Sequence, residues 1–96
     1  MLHLIFQSPI DTAILERMDS GDVAVFLESA VLGVLQKGRF ADVFFAKLNC
    51  NRLYVLSEDM AVRGILVPEL AKGLEVIDYS GLVKLTVENP LITSWY

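Results

Sequence analysis

The chain has 96 residues, of which 54% are hydrophobic and 21% are charged, and its formal net charge is -4. This balance excludes an intrinsically disordered chain, which combines low hydrophobicity with high net charge, and the length predicts one domain over residues 1–96. The acidic net charge disfavours nucleic-acid binding through a broad basic face. Cys50 is the only cysteine, which excludes an intramolecular disulfide, a CxxC redox pair and a cysteine-based zinc site.

Two strand–helix units are predicted in the first part of the chain. Residues 2–6 form a short apolar run, and Ser8 with Pro9 is typical of the start of a helix, which is expected to end at the polar segment 19–22. Residues 23–27 are apolar at every position, as expected of a central parallel strand. A second helical stripe ends near a glycine at position 38 and contains four apolar residues: Ala30, Val31, Val34 and Leu35.

The same alternation continues in the second half. Residues 53–56 form a third apolar run, followed by a helix that is expected to begin at Ser57 and to end at Gly64. Residues 76–79 form a fourth run, and Ser80 opens a last helix that stops before the next proline. Four strands alternating with helices predict an α/β fold: a small three-layer domain with a mostly parallel sheet and helices on both faces.

Two segments have weaker patterns. Residues 40–51 fit either a helix or an edge strand, and the helix is favoured because the apolar residues recur at helical spacing. Residues 65–73 contain Pro68 and fit a loop or a broken helical turn.

The apolar content is high for so small a domain, because small domains bury a smaller fraction of their surface. The longest stretch without Asp, Glu, Lys or Arg is residues 1–10, which is too short for a membrane-spanning helix of about 20 residues. No basic segment precedes an apolar core, so a signal peptide is not predicted. We therefore expect a cytoplasmic domain that covers part of its apolar surface with other subunits.

Polar residues follow each predicted strand at the carboxyl edge of the sheet, where α/β proteins place their ligands. Ordinary helix N-caps are favoured over an anion-binding ring of hydroxyls for four serines: Ser8, Ser29, Ser57 and Ser80. No turn there has a glycine-rich phosphate-binding pattern, so no nucleotide cofactor is predicted.

Three carboxylates near the same edge resemble a magnesium-binding cluster. Glu58 and Asp59 follow the third strand, and Asp78 lies at the end of the fourth. Carboxylates in the first turn of a helix also complement its dipole, and Asp59 is spaced to pair with Arg63. The second interpretation is favoured, and we predict no metal ion.

Two residues invite a chemical role. His3 is the only histidine, and a hydrogen-bonded structural histidine is favoured over a metal ligand or a triad member. Cys50 has Lys47 and Arg52 close in sequence, which favours reactivity. However, it precedes the third strand and so is expected at the edge opposite the ligand crevice. Cys50 therefore stays a secondary candidate for a persulfide carrier.

Two large aromatic residues, Trp95 and Tyr96, close the chain beyond the last helix. Aromatic residues of this kind are enriched at the centres of protein interfaces. We expect them to pack either on the domain's own core or on a partner, which makes them candidate interface residues.

Several short motifs together resemble the DsrH/TusB family. They are Leu2 and His3 followed by Ser8 and Pro9, the block LYVLSEDMAVRG at residues 53–64, the block IDYSGLVKLT at residues 77–86, and Trp95. The motifs span both ends of the chain, and residues 36–51 carry no match.

The resemblance implies a DsrEFH-like, flavodoxin-related fold and membership in a heterohexamer with two copies each of three homologous subunits. In its TusBCD form, such a complex relays persulfide sulfur toward 2-thiolation of the wobble uridine of tRNA. In its DsrEFH form, it serves cytoplasmic sulfur trafficking during sulfur oxidation. The sulfur-accepting cysteine belongs to the DsrE/TusD-type subunit. The partners implied are that subunit, a DsrF/TusC-type subunit, and sulfur donor and acceptor proteins. Direct nucleic-acid binding is not expected, because the chain is acidic.

The chain departs from the family pattern at three places. Some DsrH members carry a cysteine in the first helix, but residues 14–18 contain none, which favours the tRNA-modification form. Ser29 and Ala30 stand where the family often has Asp-Gly, and Cys50 matches no family cysteine. We therefore predict a non-catalytic subunit of a sulfur-relay complex. The alternatives are a stand-alone persulfide carrier that uses Cys50, and a DsrH-type subunit of sulfur oxidation. A response-regulator-like or nucleotide-binding module is disfavoured.

Overall fold

The computed structural model describes residues 1–6, 12–35, 44 and 46–95, and these form an all-parallel five-stranded sheet with helices on both faces. The strands are β1 (Leu2–Ile5), β2 (Val23–Phe26), β3 (Arg52–Leu56), β4 (Glu75–Ile77) and β5 (Ile92–Trp95). They pair side by side in the order β4-β3-β2-β1-β5. The predicted α/β class is confirmed.

Short helices connect the strands. Within the described ranges they are α1 (Thr12–Glu16), α2 (Ser57–Val62) and α3 (Tyr79–Glu88), with 3-10 helices at Glu28–Val34 and Val67–Glu69. The 3-10 turn at Val67–Glu69 agrees with the broken helical turn, one of the two alternatives that the sequence left open there. No helix in this part of the chain is long and apolar enough to cross a membrane.

The two faces of the sheet carry separate cores. On one face, α1, the first 3-10 helix and α2 cover a large cluster whose fully buried members include Ile5, Phe26, Val31 and Val55. On the other face, Leu82 and Leu85 of α3 pack on a smaller cluster, which includes Leu2, Val25, Tyr54 and Leu56. Because β2 is apolar on both faces, it lies inside the sheet as predicted.

The prediction of four strands was wrong, because β5 follows α3 and pairs with β1. The N–H of Leu2 donates to the carbonyl of Leu91 at 2.9 Å, and that of Phe6 donates to the carbonyl of Trp95 at 3.1 Å. β5 is an edge strand whose side chains alternate between exposed and half-buried. So short and half-polar a segment has a weak strand pattern.

The second helical stripe is a 3-10 helix that ends at Val34, earlier than predicted. Leu35 leaves the helix with extended backbone and forms an isolated antiparallel bridge with Leu70. Its three interior apolar residues are nevertheless buried as the stripe predicts: Ala30, Val31 and Val34.

The predicted serine caps were wrong wherever the structure describes them. Ser29 lies inside the 3-10 helix, and its hydroxyl donates to the carbonyl of Phe6 at 3.0 Å. Ser57 is the first residue of α2, and its hydroxyl donates to Glu58 Oε1 at 2.9 Å. Neither hydroxyl accepts from a backbone N–H at the start of its helix, so neither serine is an N-cap.

The cap of α3 is Asp78 and not Ser80. Asp78 Oδ1 accepts from the N–H of Gly81 at 2.9 Å, as an N-cap carboxylate does. The helix ends at Glu88, before Pro90, as predicted.

The end of α2 at Gly64 is confirmed. Gly64 has φ +68°, which favours glycine, and its N–H donates to the carbonyl of Ala61 at 3.2 Å. The N–H of Ile65 donates to the carbonyl of Met60 at 3.0 Å. These two bonds form a Schellman motif, which satisfies carbonyl groups at the helix end.

Some predicted features lie outside the described residues: Ser8, Pro9, Gly38, Tyr96 and, within the segment 40–51, residues 40–43 and 45. Within that segment, Phe44, Ala46 and Lys47 have helical backbone, and the N–H of Leu48 donates to the carbonyl of Phe44 at 3.2 Å. This agrees with the helix favoured there.

Candidate functional site

The amino edge of the sheet holds a buried polar network around Asp22. Asp22 Oδ2 lies 2.9 Å from His3 Nε2 and accepts from the N–H of Asp19 at 3.1 Å, while its Oδ1 accepts from the amino group of Met1 at 3.1 Å. Burial alone would raise the pKa of Asp22, but these hydrogen bonds and the nearby positive charge lower it below its ordinary value.

Trp95 fixes the tautomer of His3. The indole Nε1 can only donate, and it lies 3.1 Å from His3 Nδ1, so that Nδ1 is the acceptor. The proton of the neutral ring is therefore on Nε2, from which it is donated to Asp22. His3 is buried, so the prediction of a hydrogen-bonded structural histidine is confirmed.

Asn51 joins the amino end of β3 to this network. Its side-chain amide donates to the carbonyl of Asp19 at 2.7 Å and to that of Asp22 at 3.0 Å. Asn51 immediately precedes β3, and Asp22 immediately precedes β2. The network therefore fixes the relative positions of the amino ends of β1, β2 and β3, and sequence reasoning missed it.

Cys50 lies at this same edge, as its place before β3 predicts. The thiol is exposed and lies 3.4 Å from Asn51 Oδ1, while the Cys50 carbonyl accepts from the N–H of Gly21 at 2.7 Å. It borders an open cavity of about 520 Å³, which Arg52 and Glu88 also line. The thiol is accessible, but it lies at the amino edge of the sheet, at the other end of the strands from the carboxyl edge.

At the carboxyl edge, the predicted acidic residues hold backbone groups. Asp59 Oδ2 accepts from the N–H of Glu28 at 2.6 Å, where Glu28 has a left-handed φ of 52°. Glu58 Oε2 accepts from the N–H of Tyr79 at 3.2 Å. Both carboxylates lie on α2, which follows β3. Asp59 therefore links α2 to the segment after β2, and Glu58 links α2 to the segment after β4.

The electrostatics of these carboxylates agree with a structural role. Partial desolvation would raise the pKa of Glu58, but hydrogen bonds from Ser57 and from backbone N–H groups lower it. Asp59 Oδ1 lies 4.0 Å from Arg63 Nη1, which confirms the predicted i,i+4 pair. Within the described ranges, no three His, Cys, Asp or Glu side chains are placed to hold a metal ion.

Trp95 packs on the chain's own core. Its ring lies against the larger cluster, and the Arg17 guanidinium is 5.9 Å from the ring centroid. The structure thus shows one of the two predicted packings for Trp95. A role of Trp95 or Tyr96 at an interface stays a prediction.

In the part of the chain that the structure describes, two apolar surfaces are exposed. The sequence predicted uncovered apolar surface but not its position. The first is a groove of about 320 Å³ between α2 and β4, whose lining includes Met60, Ile65, Leu66 and Val67. The second is the outer side of α3, where Tyr79, Val83 and Val87 are exposed. Exposed apolar patches of this kind mark interaction sites in folded proteins.

Comparisons with known proteins agree with the architecture. The sequence model of one family, described as DsrH like protein, matches residues 6–91. Two curated relatives are similar over 99% of this chain and 100% of their own length: Protein TusB of Pectobacterium parmentieri, 34% identical, and Protein TusB of Escherichia coli strain K12, 30% identical. A solved protein of unknown function from Methanobacterium thermoautotrophicum matches with a TM-score of 0.78 and 12% identity, over 98% of this chain and 96% of that chain. The structural match shows the fold alone.

Proposed function

The chain belongs to the DsrH/TusB family, and from this we propose that it is a non-catalytic subunit of a cytoplasmic sulfur-relay complex. The complex passes persulfide sulfur toward 2-thiolation of the tRNA wobble uridine. The observation that carries the proposal is the similarity to TusB relatives along the whole chain. The partners are homologous subunits of the TusC/DsrF and TusD/DsrE types.

The position of Cys50, the only cysteine, supports a role in which this chain does not itself carry sulfur. Sulfur moves between proteins when one thiolate attacks the persulfide of another, so donor and acceptor must meet in one cleft. Cys50 lies at the amino edge, whereas Glu58 and Asp59 lie at the carboxyl edge, where α/β folds form clefts. The subunit therefore completes and shapes the complex, and the acceptor cysteine of the TusD/DsrE-type subunit carries the sulfur.

The exposed apolar residues support membership in an assembly. Leu66 and Val67 beside the groove are both more than half exposed, and similar exposure recurs on α3. Interfaces between permanent subunits are more apolar than the remaining protein surface. A chain that leaves this much apolar area uncovered is suited to binding further subunits.

Cys50→Ser tests the assignment of sulfur carriage. In the reconstituted three-subunit complex, loaded with labelled sulfur by a cysteine desulfurase, we expect this variant to pass sulfur at the wild-type rate within about twofold, because an exposed side chain that carries no sulfur is dispensable. The matched control replaces the acceptor cysteine of the TusD/DsrE-type subunit by serine and should abolish transfer. Loss of transfer with Cys50→Ser would instead make Cys50 a persulfide carrier.

A further inference from the structure

The hydrogen bond between Trp95 and His3 joins the edge strand β5 to β1. Trp95 is the last residue of β5, and its indole N–H donates to His3 Nδ1 at 3.1 Å. The two ring planes are inclined by only 19°, as expected when an indole N–H meets the in-plane lone pair of an imidazole nitrogen. The half-buried side chains of β5 are those of Thr93 and Trp95, and the Trp95 ring packs on the larger core cluster. Trp95 is therefore the main side-chain anchor of β5.

Protonation of His3 is incompatible with this hydrogen bond. A neutral imidazole has one donor nitrogen and one acceptor nitrogen, but the protonated ring has two donors and no acceptor. The indole nitrogen of Trp95 is also only a donor. After protonation, two N–H groups would face each other across the 3.1 Å contact, so the bond is lost and the contact becomes repulsive.

On its other side, His3 keeps its partner in both protonation states. Nε2 lies 2.9 Å from Asp22 Oδ2 and donates to it whether or not Nδ1 carries a proton. Burial would raise the pKa of Asp22, but its hydrogen bonds and the Met1 amino group lower it below its ordinary value, so this carboxylate stays ionised in mild acid. A proton on His3 therefore strengthens the contact to the segment before β2 and removes the contact to β5.

The other charged groups around the two rings do not stabilise a proton on Nδ1. The Met1 amino group binds Asp22 and so competes with His3 for that carboxylate. Arg17, directly after α1, places its guanidinium 5.9 Å from the centroid of the Trp95 ring, which adds positive charge on the side of β5. Within the described ranges, Asp22 is the only carboxylate at ion-pair distance from the His3 ring, and β5 has no ionisable side chain.

We propose that His3 and Trp95 form a proton-sensitive latch: neutral His3 holds β5 on the edge of β1, and protonated His3 releases β5 while the other four strands stay paired. Histidine side chains change charge between about pH 5 and pH 8, so release is expected in mild acid. Release uncovers the backbone N–H groups of Leu2 and Phe6, which donate to the carbonyls of Leu91 and Trp95 when β5 is in place.

Amide hydrogen exchange followed by NMR at about pH 7.5 and about pH 5 tests the latch. His3 and Trp95 are the only histidine and tryptophan, so their ring nitrogen signals are unambiguous and report the proton on Nδ1 directly. The Phe6 N–H reports the pairing of β1 with β5, and the Leu27 N–H, which donates to the Ile5 carbonyl, reports its pairing with β2.

We expect Nδ1 to be protonated at the lower pH and the protection factor of the Phe6 N–H to fall at least tenfold, while that of the Leu27 N–H stays within about twofold. Protection factors are compared because they correct for the pH dependence of exchange itself. A His3 ring that stays neutral, an unchanged Phe6 N–H, or an equal loss at Leu27 would overturn the proposal.

Two variants separate the latch from general effects of acid. Trp95→Phe keeps an aromatic ring on β5 without an N–H, so the Phe6 N–H should be less protected at the higher pH and should change by less than about threefold on acidification. His3→Gln keeps a donor and an acceptor but does not titrate, and it should remove the pH dependence as well. If His3→Gln does not fold, Trp95→Phe still provides the comparison. A tenfold loss in acid that persists without the indole N–H would contradict the latch. Because the chain is measured alone, this outcome is separate from that of the sulfur-relay experiment.

Discussion

Replacing Asp22 by alanine is expected to lower the free energy of unfolding of the isolated chain by about 3 kcal/mol. The carboxylate accepts hydrogen bonds from His3, the N–H of Asp19 and the Met1 amino group. Without it, the His3 Nε2–H remains buried and unsatisfied, which is more costly than the loss of one exposed contact. Urea unfolding followed by circular dichroism measures the difference.

Asp19→Asn is the control for this variant. The Asp19 side chain is exposed, and the backbone groups that it contributes to the network are retained in asparagine. We expect a change within about 0.5 kcal/mol. The account would be contradicted if Asp22→Ala and Asp19→Asn lowered the free energy of unfolding equally, or if neither variant lowered it. The buried network would then not stabilise the amino edge.

The stabilisation by Asp22 has a defined pH dependence. Because the pKa of Asp22 is lower in the folded chain, its contribution is complete above the unfolded carboxyl pKa of about 4 and is lost as the pH falls through the folded value. The wild type should therefore lose more stability below about pH 4 than Asp22→Ala does. Equal slopes in acid would contradict the lowered pKa.

Replacing Trp95 by alanine is expected to cost the isolated chain about 2–3 kcal/mol, since a half-buried ring leaves the core and β5 loses its largest side chain. Trp95→Phe keeps most of the ring but removes the donor to His3 Nδ1, so about 1 kcal/mol is expected. Circular dichroism is the suitable probe, because the variants lack the only tryptophan.

The result for Trp95 separates its two predicted roles. If the indole acted only at an interface, Trp95→Ala would leave the stability of the isolated chain unchanged and would weaken the complex alone. A loss of stability without partners indicates that packing on the chain's own core dominates.

The sequence correctly predicted the elements whose local residue pattern agrees with their burial and contacts in the folded chain. The apolar run of β2 and the α2 segment from Ser57 to Gly64 were located because burial, helix spacing and a left-handed glycine point to the same structure. β5 was missed because its pattern is that of an edge strand, and its stability comes from pairing with β1 at the other end of the chain. Pairing between distant segments has no local signal.

The polar networks were unpredictable for a related reason. His3 was expected to be hydrogen-bonded, but its partners Asp22 and Trp95 come from different strands or the loops before them. Serines at predicted helix starts suggested caps, yet the hydroxyl of Ser29 bonds a carbonyl that only the folded sheet brings near. Residue type restricts which bonds a side chain can form, and tertiary contacts select among them.

Copurification of the tagged chain with the two sister subunits of the same organism, all three co-expressed, tests the sulfur-relay assignment most directly. Light scattering of the purified material, combined with the mass of each component, gives the stoichiometry. We predict a stable complex that contains all three subunits in equal amounts, with two copies of this chain. Recovery of the tagged chain without either sister subunit would contradict the assignment.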